Sequence, residues 1–446
     1  MILTLLALLA ILFIAIELQK YFKIPSPITL IGLSYLFYYL FPSMVLFSEE
    51  SFAQLVLFLI PILIAADALQ LKLGDLRKNA LSLFYVAAFS VAISITFGIV
   101  AANTFFAEYA LSTGAIIALF AMVLATDPVS VVSVFSSFNV PHKLKILAEG
   151  ESLFNDATAL IIFMFIAIPM INGVEIGAVD IAVVSVKVIF FSVLIGLVVG
   201  YAGVALMRLT SDPMSELVVI LLTAYGAFEI AEIFHFAGLL AVIVAIITLN
   251  TITQKSFDEK ERQVQKNRNI VSQAGQNKKV FSTGFISGLT QKLSSDISSI
   301  ERHKQNLNYV AVLALLANTF LFMSMASIVN FDALLKYKEE ILLMFLITTV
   351  IRAFMMGTFG IVSNLARSMT NIGVRWWSVL LFAGIKGGLS IVMLQMLPDG
   401  FAHQEMFNAI VIGVILLSTF VYATALVAII MLGKKSFDKE VDAEVH

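Results

Sequence analysis

The feature that most constrains this chain is a series of apolar runs, each close to the length of a membrane span. A transmembrane helix needs about 20 apolar residues to cross about 30 Å of hydrocarbon. The chain is 60% hydrophobic and 13% charged, so it has too few charged residues to coat a soluble surface. We predict an all-α polytopic membrane protein with about 13 spans. The predicted spans are residues 2–18, 28–48, 52–70, 80–102, 112–138, 146–170, 178–207, 216–234, 236–252, 308–329, 339–363, 377–397 and 406–432.

The positions of the basic residues predict the orientation. The first run lacks a basic start and a small-residue cleavage site, so it is predicted to be a true span with the N-terminus outside. Of the 28 lysines and arginines, only Lys336 and Lys338 then fall in outer loops, and Lys187, Arg352 and Lys386 fall within spans. This bias follows the positive-inside rule and predicts a cytoplasmic C-terminus.

The same pattern predicts the domain organisation. It consists of transmembrane helices 1–9 in 1–253, a basic polar cytoplasmic loop in 254–307, helices 10–13 in 308–433 and a short cytoplasmic tail in 434–446. The loop is expected to be solvated, with some amphipathic helix; the alternative is a regulatory or lipid-headgroup role. The chain has no cysteine, which excludes disulfides and thiolate metal sites. Its net charge of −2 gives no sign of a nucleic-acid partner, and none is expected.

Asp127 and Pro128 stand in the middle of a predicted span, in "ATDPVSVVSVF". Proline lacks an N–H and disfavours helical geometry at the residue before it. Lipid cannot satisfy the carbonyls that such a break frees, so the break must face protein or water. A broken helix at Asp127 offers carbonyl oxygens and a carboxylate, which are the hard ligands that alkali cations prefer. The alternative is a kink in which Asp127 caps the next half-helix.

The stretch "EGESLFNDATALIIFMFIAI" carries four acidic or amide side chains into an apolar span. Ser152 and Asp156, at i and i+4, share one face of a helix. Glu151 lies about 140° from Asp156 around the axis, so the two cannot line one small site. We predict that Asp156 and Ser152 meet Asp127. Glu151 is predicted to pair with Arg352, because a lone buried charge is costly.

Lys386 lies in "FAGIKGGLSIVM", where three glycines loosen a late span. Secondary transporters commonly carry two discontinuous helices in inverted repeats, whose half-helix ends meet near the midplane. Helix C-terminal ends are partly negative and N-terminal ends partly positive, so an aspartate in one broken helix and a lysine in the other suit such a crossing. The alternative is close helix packing through the glycines.

Together these motifs resemble a known family. "ATDPVSVVSVF" followed by "LAEGESLFNDATALIIF" resembles the signature of the monovalent cation:proton antiporters of the NhaP/NHE type, in the Asn-Asp branch. "TAYGAFEIAEIFHFAGLLAVIVA" is similar to the segment with a buried glutamate before a glycine, here Glu232 and Gly238. "LALLANTFLFMSMASI" resembles the span after the long inner loop, "TTVIRAF" carries the family's arginine at Arg352, and "FAGIKGGLS" resembles its late glycine-rich segment.

The resemblance implies an NhaA-like fold of inverted repeats with two crossed discontinuous helices, a core of six helices and a separate dimer-forming panel. It places the transported cation between Asp127, Asp156 and Ser152, with the carbonyl of Thr126 added. It also pairs Glu151 with Arg352. Asn155, in place of a second acid, implies electroneutral exchange.

Two positions depart from the family pattern. Relatives often carry a glutamate in the third span within a Phe-Glu-x-Gly-like motif, whereas this chain reads "PILIAADALQL", with Ala66 in that register and Asp67 one position later. Relatives usually have arginine at the position of Lys386. Lysine keeps the charge but loses the planar fork of the guanidinium. Both departures bear on ion preference and pH range.

The function predicted at this stage is one-for-one exchange of Na⁺ (or Li⁺) for H⁺ by a homodimer in the cytoplasmic membrane, serving pH homeostasis without a cofactor or enzymatic activity. One alternative is a K⁺/H⁺ antiporter of the same architecture. An intramembrane aspartyl protease could also use two aspartates that share a proton, but the Gly-x-Gly-Asp stretch of such proteases is absent. A cation channel is a third alternative, although no repeated carbonyl-filter sequence is present.

Overall fold

The computed structural model describes residues 2–22, 26–41, 49–210, 212–276, 283–328, 330–366 and 369–445. Within these ranges the regular structure is helical throughout, which confirms the predicted all-α class. The helices are α1 (Ile2–Phe22), α2 (Ser26–Leu40), α3 (Glu49–Gln70), α4 (Leu73–Lys78), α5 (Ala80–Phe84), α6 (Ser90–Phe105), α7 (Thr113–Leu124), α8 (Pro128–Ser136), α9 (His142–Ile162), α10 (Ile168–Ile171), α11 (Ala178–Met207), α12 (Pro213–Ile233), α13 (Gly238–Gln276), α14 (Thr283–Ile328), α15 (Phe331–Lys336), α16 (Lys338–Leu365), α17 (Val374–Phe382), α18 (Gly388–Gln395) and α19 (Gln404–Val445). Two π-helical turns, Tyr85–Phe89 and Phe163–Ala167, and a 3₁₀ turn, Ala107–Tyr109, complete them.

Many of these helices can cross a membrane. In the part of the chain that the structure describes, 8 helical stretches are long and apolar enough, and three shorter apolar helices accompany them. The predicted polytopic membrane class is therefore confirmed, while the count of about 13 spans stays a prediction. Residues 42–48 of the predicted second span and residues 277–282 of the predicted polar loop lie outside the described residues.

The chain forms two compact units. The first comprises Met1–Leu63, Gly74–Phe190 and Leu316–His446, and the second comprises Ile64–Leu73 and Phe191–Leu315.

The first unit contains two interrupted helices. Ser112 caps α7 by accepting a hydrogen bond from the backbone of Ala115. The helix ends at Leu124, and α8 begins at Pro128, whose fixed φ and missing N–H suit the first helical position. The second interruption separates α17 from α18 and spans Ala383–Gly387. The predicted discontinuous helices are thus present at both motifs.

The two interruptions lie against each other. The backbone N–H of Asp127 donates to the carbonyl of Ile385 over 2.7 Å. A Cβ on Gly387 would lie 2.5 Å from the Cβ of Asp127, so only glycine fits this close approach. The backbone of the second break therefore satisfies a donor freed by the first, as membrane burial requires.

The second unit is built around α12, α13 and the first part of α14. Glu232 accepts a hydrogen bond from the backbone of Gly238 over 3.1 Å, at the start of α13. Helix α13 has 39 residues and is therefore about 58 Å long, which exceeds the hydrocarbon thickness of about 30 Å. Its polar end packs on α14, where the rings of Phe257 and His303 stack 4.4 Å apart. The described residues of the predicted loop 254–307 are thus helical.

Candidate functional site

The first element of the site is the break at Asp127, a residue that is 7% exposed. Its carboxylate oxygen Oδ2 accepts hydrogen bonds from the backbone N–H of Ser130, over 3.2 Å, and from the Ser130 hydroxyl. Asp127 is therefore the cap of α8, as the capping interpretation predicted. The cap also fixes the carboxylate beside the unwound residues, so the two interpretations of the Asp-Pro motif are compatible.

The second element is helix α9, which brings its polar face to the same break. Asp156 Oδ1 accepts a hydrogen bond of 2.7 Å from the backbone N–H of Thr126. The hydroxyls of Ser152 and Thr126 lie 2.8 Å apart. Asn155 donates to the carbonyl of Leu124 over 3.0 Å and to the Thr126 hydroxyl over 3.3 Å. The i, i+3 and i+4 spacing of the α9 residues explains why all three reach one turn of unwound chain.

The third element is Lys386 in the second break, which is 3% exposed. Its ammonium group donates to the carbonyl of Leu124 over 3.3 Å, and its backbone N–H donates to the hydroxyl of Ser418 over 3.1 Å. Leu124 ends α7, so the ammonium group lies at the partly negative end of that half-helix. Electrostatic interactions also connect Asp156 with Lys386 and with Asp127.

Glu151 and Arg352 form a buried ion pair beside this cluster. The guanidinium binds the carboxylate with two bonds, Nη1 to Oε1 at 3.0 Å and Nη2 to Oε2 at 2.9 Å. It also donates to the carbonyls of Leu381 and Leu380, each over 2.9 Å, at the end of α17. The pair thus ties α9 and α16 to the first half of the second broken helix. Five donors in a planar fork make arginine suited to this role.

Asp67, the remaining predicted site residue, belongs to the second unit. It is buried on α3, in the segment Ile64–Leu73. The other predicted residues all belong to the first unit. They are Thr126, Asp127, Glu151, Ser152, Asn155, Asp156, Arg352 and Lys386.

Sequence reasoning missed three contributors to the site: Ser130, Ser418 and the carbonyl of Leu124. Ser130 carried a usable signal, because it stands three residues after Asp127, where a capping side chain finds its donor. Ser418 lies in an apolar helix with no motif around it. A backbone carbonyl leaves no trace in the sequence at all.

The arrangement has a defined chemistry. The buried carboxylate of Asp156 and the hydroxyls of Ser152 and Thr126 meet at the unwound segment, and the buried carboxylate of Asp127 lies at the same break, where Ser130 binds it. Paired carboxylates in a desolvated site need a compensating positive charge, which either a proton or a metal ion can supply. Carboxylate and hydroxyl oxygens suit hard cations such as those of the alkali metals.

Comparisons with known proteins agree with this chemistry. The family model described as "Sodium/hydrogen exchanger, transmembrane" matches residues 5–275. The Na(+)/H(+) antiporter NhaH of Halobacillus aidingensis is 28% identical over 393 residues, covering 86% of this chain and 84% of that protein. The low-affinity Na(+)/H(+) antiporter NhaS1 of Synechocystis is 26% identical over 373 residues, covering 82% of this chain and 62% of that protein. The solved structure of the sodium proton antiporter MjNhaP1 from Methanocaldococcus jannaschii matches with a TM-score of 0.65 at 14% identity, covering 94% of this chain and 97% of that one, which indicates a shared fold.

Proposed function

Because the chain belongs to the sodium/hydrogen exchanger family, we propose that it exchanges one Na⁺ (or Li⁺) for one H⁺ at a site formed by Asp127 and Asp156. The observation that carries this assignment is the hydrogen bond between the buried carboxylate of Asp156 and the unwound backbone at Thr126. It places a titratable group at the point where α7 is interrupted, among oxygen atoms that can bind a cation.

Coupling follows from competition. The two carboxylates hold one compensating charge between them, and a proton and a Na⁺ ion exclude each other as its source. The oxygen atoms of Ser152 and Thr126 complete the environment of the cation. If the site changes the side of the membrane to which it is open only when it holds one of the two ions, and not when it holds both or neither, the protein exchanges one ion for the other.

The charges of the cluster favour electroneutral exchange. Fully ionised, the site and the ion pair beside it have three carboxylates, those of Asp127, Glu151 and Asp156, and two cations, those of Arg352 and Lys386. One Na⁺ or one H⁺ neutralises the single excess negative charge. Asn155 adds no titratable group, so each half of the cycle carries the same net charge.

We also propose an orientation in the membrane and an oligomeric state. The bias of the loop charges supports a cell-membrane protein with its N-terminus outside and its C-terminus on the cytoplasmic side. Resemblance to the NhaP/NHE type supports a homodimer that serves pH homeostasis.

The experiment is a pH-jump assay on proteoliposomes with Na⁺, Li⁺ and K⁺ compared, alongside a voltage-sensitive dye. Wild-type protein is expected to dissipate the proton gradient on addition of Na⁺ or Li⁺ without a voltage change. Asp156→Asn is expected to abolish this exchange. Glu216→Gln is the matched control, because Glu216 is also a buried carboxylate but binds Asn306 at 2.6 Å in the second unit. Exchange that survives Asp156→Asn removes the site assignment, and a response to K⁺ alone makes the chain a K⁺/H⁺ antiporter.

A further inference from the structure

A cavity of about 1530 Å³ lies in the first unit, and neither Asp127 nor Asp156 lines it. It is open to the surface and is lined by the segment Asp75–Asn79, the start of α9, the start of α17 and the last turns of α19. Its lining is rich in charged groups, and none of the residues of the cation site is among them. The loop charges predict that this side of the membrane is cytoplasmic.

Three lysines line the cavity: Lys78, Lys143 and Lys145. Among the described residues, no carboxylate lies within 4.0 Å of their ammonium groups, whereas the other charged groups of the lining are engaged. His142 lies 3.4 Å from Asp75 across an ion pair that forms when the imidazole is protonated. The cavity is therefore partly positive, because the carboxylates of its lining do not fully compensate the lysine ammonium groups.

The cavity lining contains two sets of hydrogen-bond donors that suit oxyanions, and each set binds a carboxylate of α19. Glu440 accepts hydrogen bonds from Arg375 Nη1 at 3.0 Å and from the indole N–H of Trp376 at 2.9 Å. Glu444 accepts a hydrogen bond of 2.8 Å from the backbone N–H of His142, the first residue of α9. A helix N-terminus and a guanidinium are both donors suited to phosphate as well as to carboxylate.

We propose that this cavity binds a phosphate-bearing anion, held by Lys143 and Lys145 with Lys78 beside them. A phosphate group offers several acceptor oxygens and more than one negative charge, which suits a cluster of flexible ammonium groups. Its source is either an anionic lipid headgroup, which basic pockets between helices at the cytoplasmic face recognise, or a soluble phosphate. The carboxylates of Glu440 and Glu444 lower the affinity by occupying the neighbouring donors.

Binding connects this site to α9. The occupied cavity joins the first turn of α9 to α17 and α19, and Asp156 lies on the same helix, fourteen residues after its first residue, His142. The bound anion therefore stabilises the arrangement of helices that forms the cation site.

The test uses purified full-length protein in detergent and two probes. In one arm, the thermal unfolding temperature is followed during titration with inorganic phosphate, against chloride at equal ionic strength. In the other, native mass spectrometry counts bound short-chain phosphatidylglycerol, against phosphatidylcholine of the same chain length. The test variant is Lys143→Ala/Lys145→Ala, and the control is Lys434→Ala/Lys435→Ala, which removes two exposed lysines that do not line the cavity.

Wild type and the control are expected to bind one of the two probes with equal affinity, and the test variant about fivefold more weakly or worse. The arm in which this difference is seen identifies the source of the phosphate. Glu440→Gln/Glu444→Gln is expected to bind about threefold more tightly, which a general loss of folding cannot produce. Equal affinity of the test variant and the control in both arms, or no binding in either, overturns the proposal. The result is independent of transport, so it stands apart from the assignment of the cation site.

Discussion

Replacing Arg352 by methionine removes the cation of the buried pair and keeps most of the side-chain volume. In the structure the guanidinium makes four hydrogen bonds, two to the Glu151 carboxylate and two to the carbonyls of Leu380 and Leu381. Arg352 is 8% exposed and Glu151 is 2% exposed, so water does not replace these partners. The variant leaves a buried carboxylate without its cation and two carbonyls without their donor.

The magnitude follows from these losses. Breaking a buried ion pair by removing one partner costs about 3–5 kcal/mol, and an unmet buried carbonyl adds about 1–3 kcal/mol. We expect Arg352→Met to lower the free energy of unfolding by about 4 kcal/mol or more. The double variant Glu151→Leu/Arg352→Met removes both charges and is expected to recover about half of that loss, because only the carbonyls remain unsatisfied.

The assay is unfolding in mixed micelles with increasing SDS, followed by tryptophan fluorescence. Arg375→Met is the comparison, because Arg375 and Glu440 are each 39% exposed and an exposed pair contributes about 0–1 kcal/mol. The reasoning is refuted if Arg352→Met costs no more than Arg375→Met. It is also refuted if the double variant loses the sum of the two single losses, since that result leaves no coupling between the charges.

Two further predictions use other contacts. Gly387→Ala places a Cβ 2.5 Å from that of Asp127 and is expected to abolish Na⁺/H⁺ exchange in proteoliposomes. Gly74→Ala, whose new Cβ has nothing within 4 Å, is expected to leave exchange unchanged. Equal exchange rates of the two variants would contradict the close approach of Gly387 to Asp127. The hydrogen bond from Tyr109 to Glu340, 2.5 Å long, raises the pKa of the phenol above its ordinary value of 10.0. The contribution of this hydrogen bond to the stability of the folded protein is therefore fully present below pH 10 and is lost as pH rises through the raised pKa. Thermal unfolding of Tyr109→Phe is expected to lack this alkaline decline, and an unchanged decline contradicts the assignment.

Local rules were enough to predict much of the site. Pro128 predicted the interruption of α7 because a proline restricts the residue before it, whatever the tertiary context. The 3.6-residue period of α9 separated Glu151 from Asp156 and left Arg352 as the partner of Glu151. Both inferences needed only the geometry of one helix and the cost of a buried charge.

Contacts between distant segments could not be predicted in the same way. The ammonium group of Lys386 binds a carbonyl 262 residues away in the chain, and no residue type encodes that partner. The C-terminal turns of α19 were predicted only as a short tail, although buried Phe437 and the contacts of Glu440 hold them against α17. Such contacts depend on the packing of whole helices, which neither hydropathy nor periodicity specifies.

The central claim is that Na⁺ and H⁺ compete for one charge shared by Asp127 and Asp156. The most direct measurement is the number of protons released when Na⁺ binds to purified protein in weakly buffered detergent solution. We expect about one proton released per Na⁺ bound, and none from Asp156→Asn. Binding of Na⁺ to the wild-type protein without proton release would contradict the account.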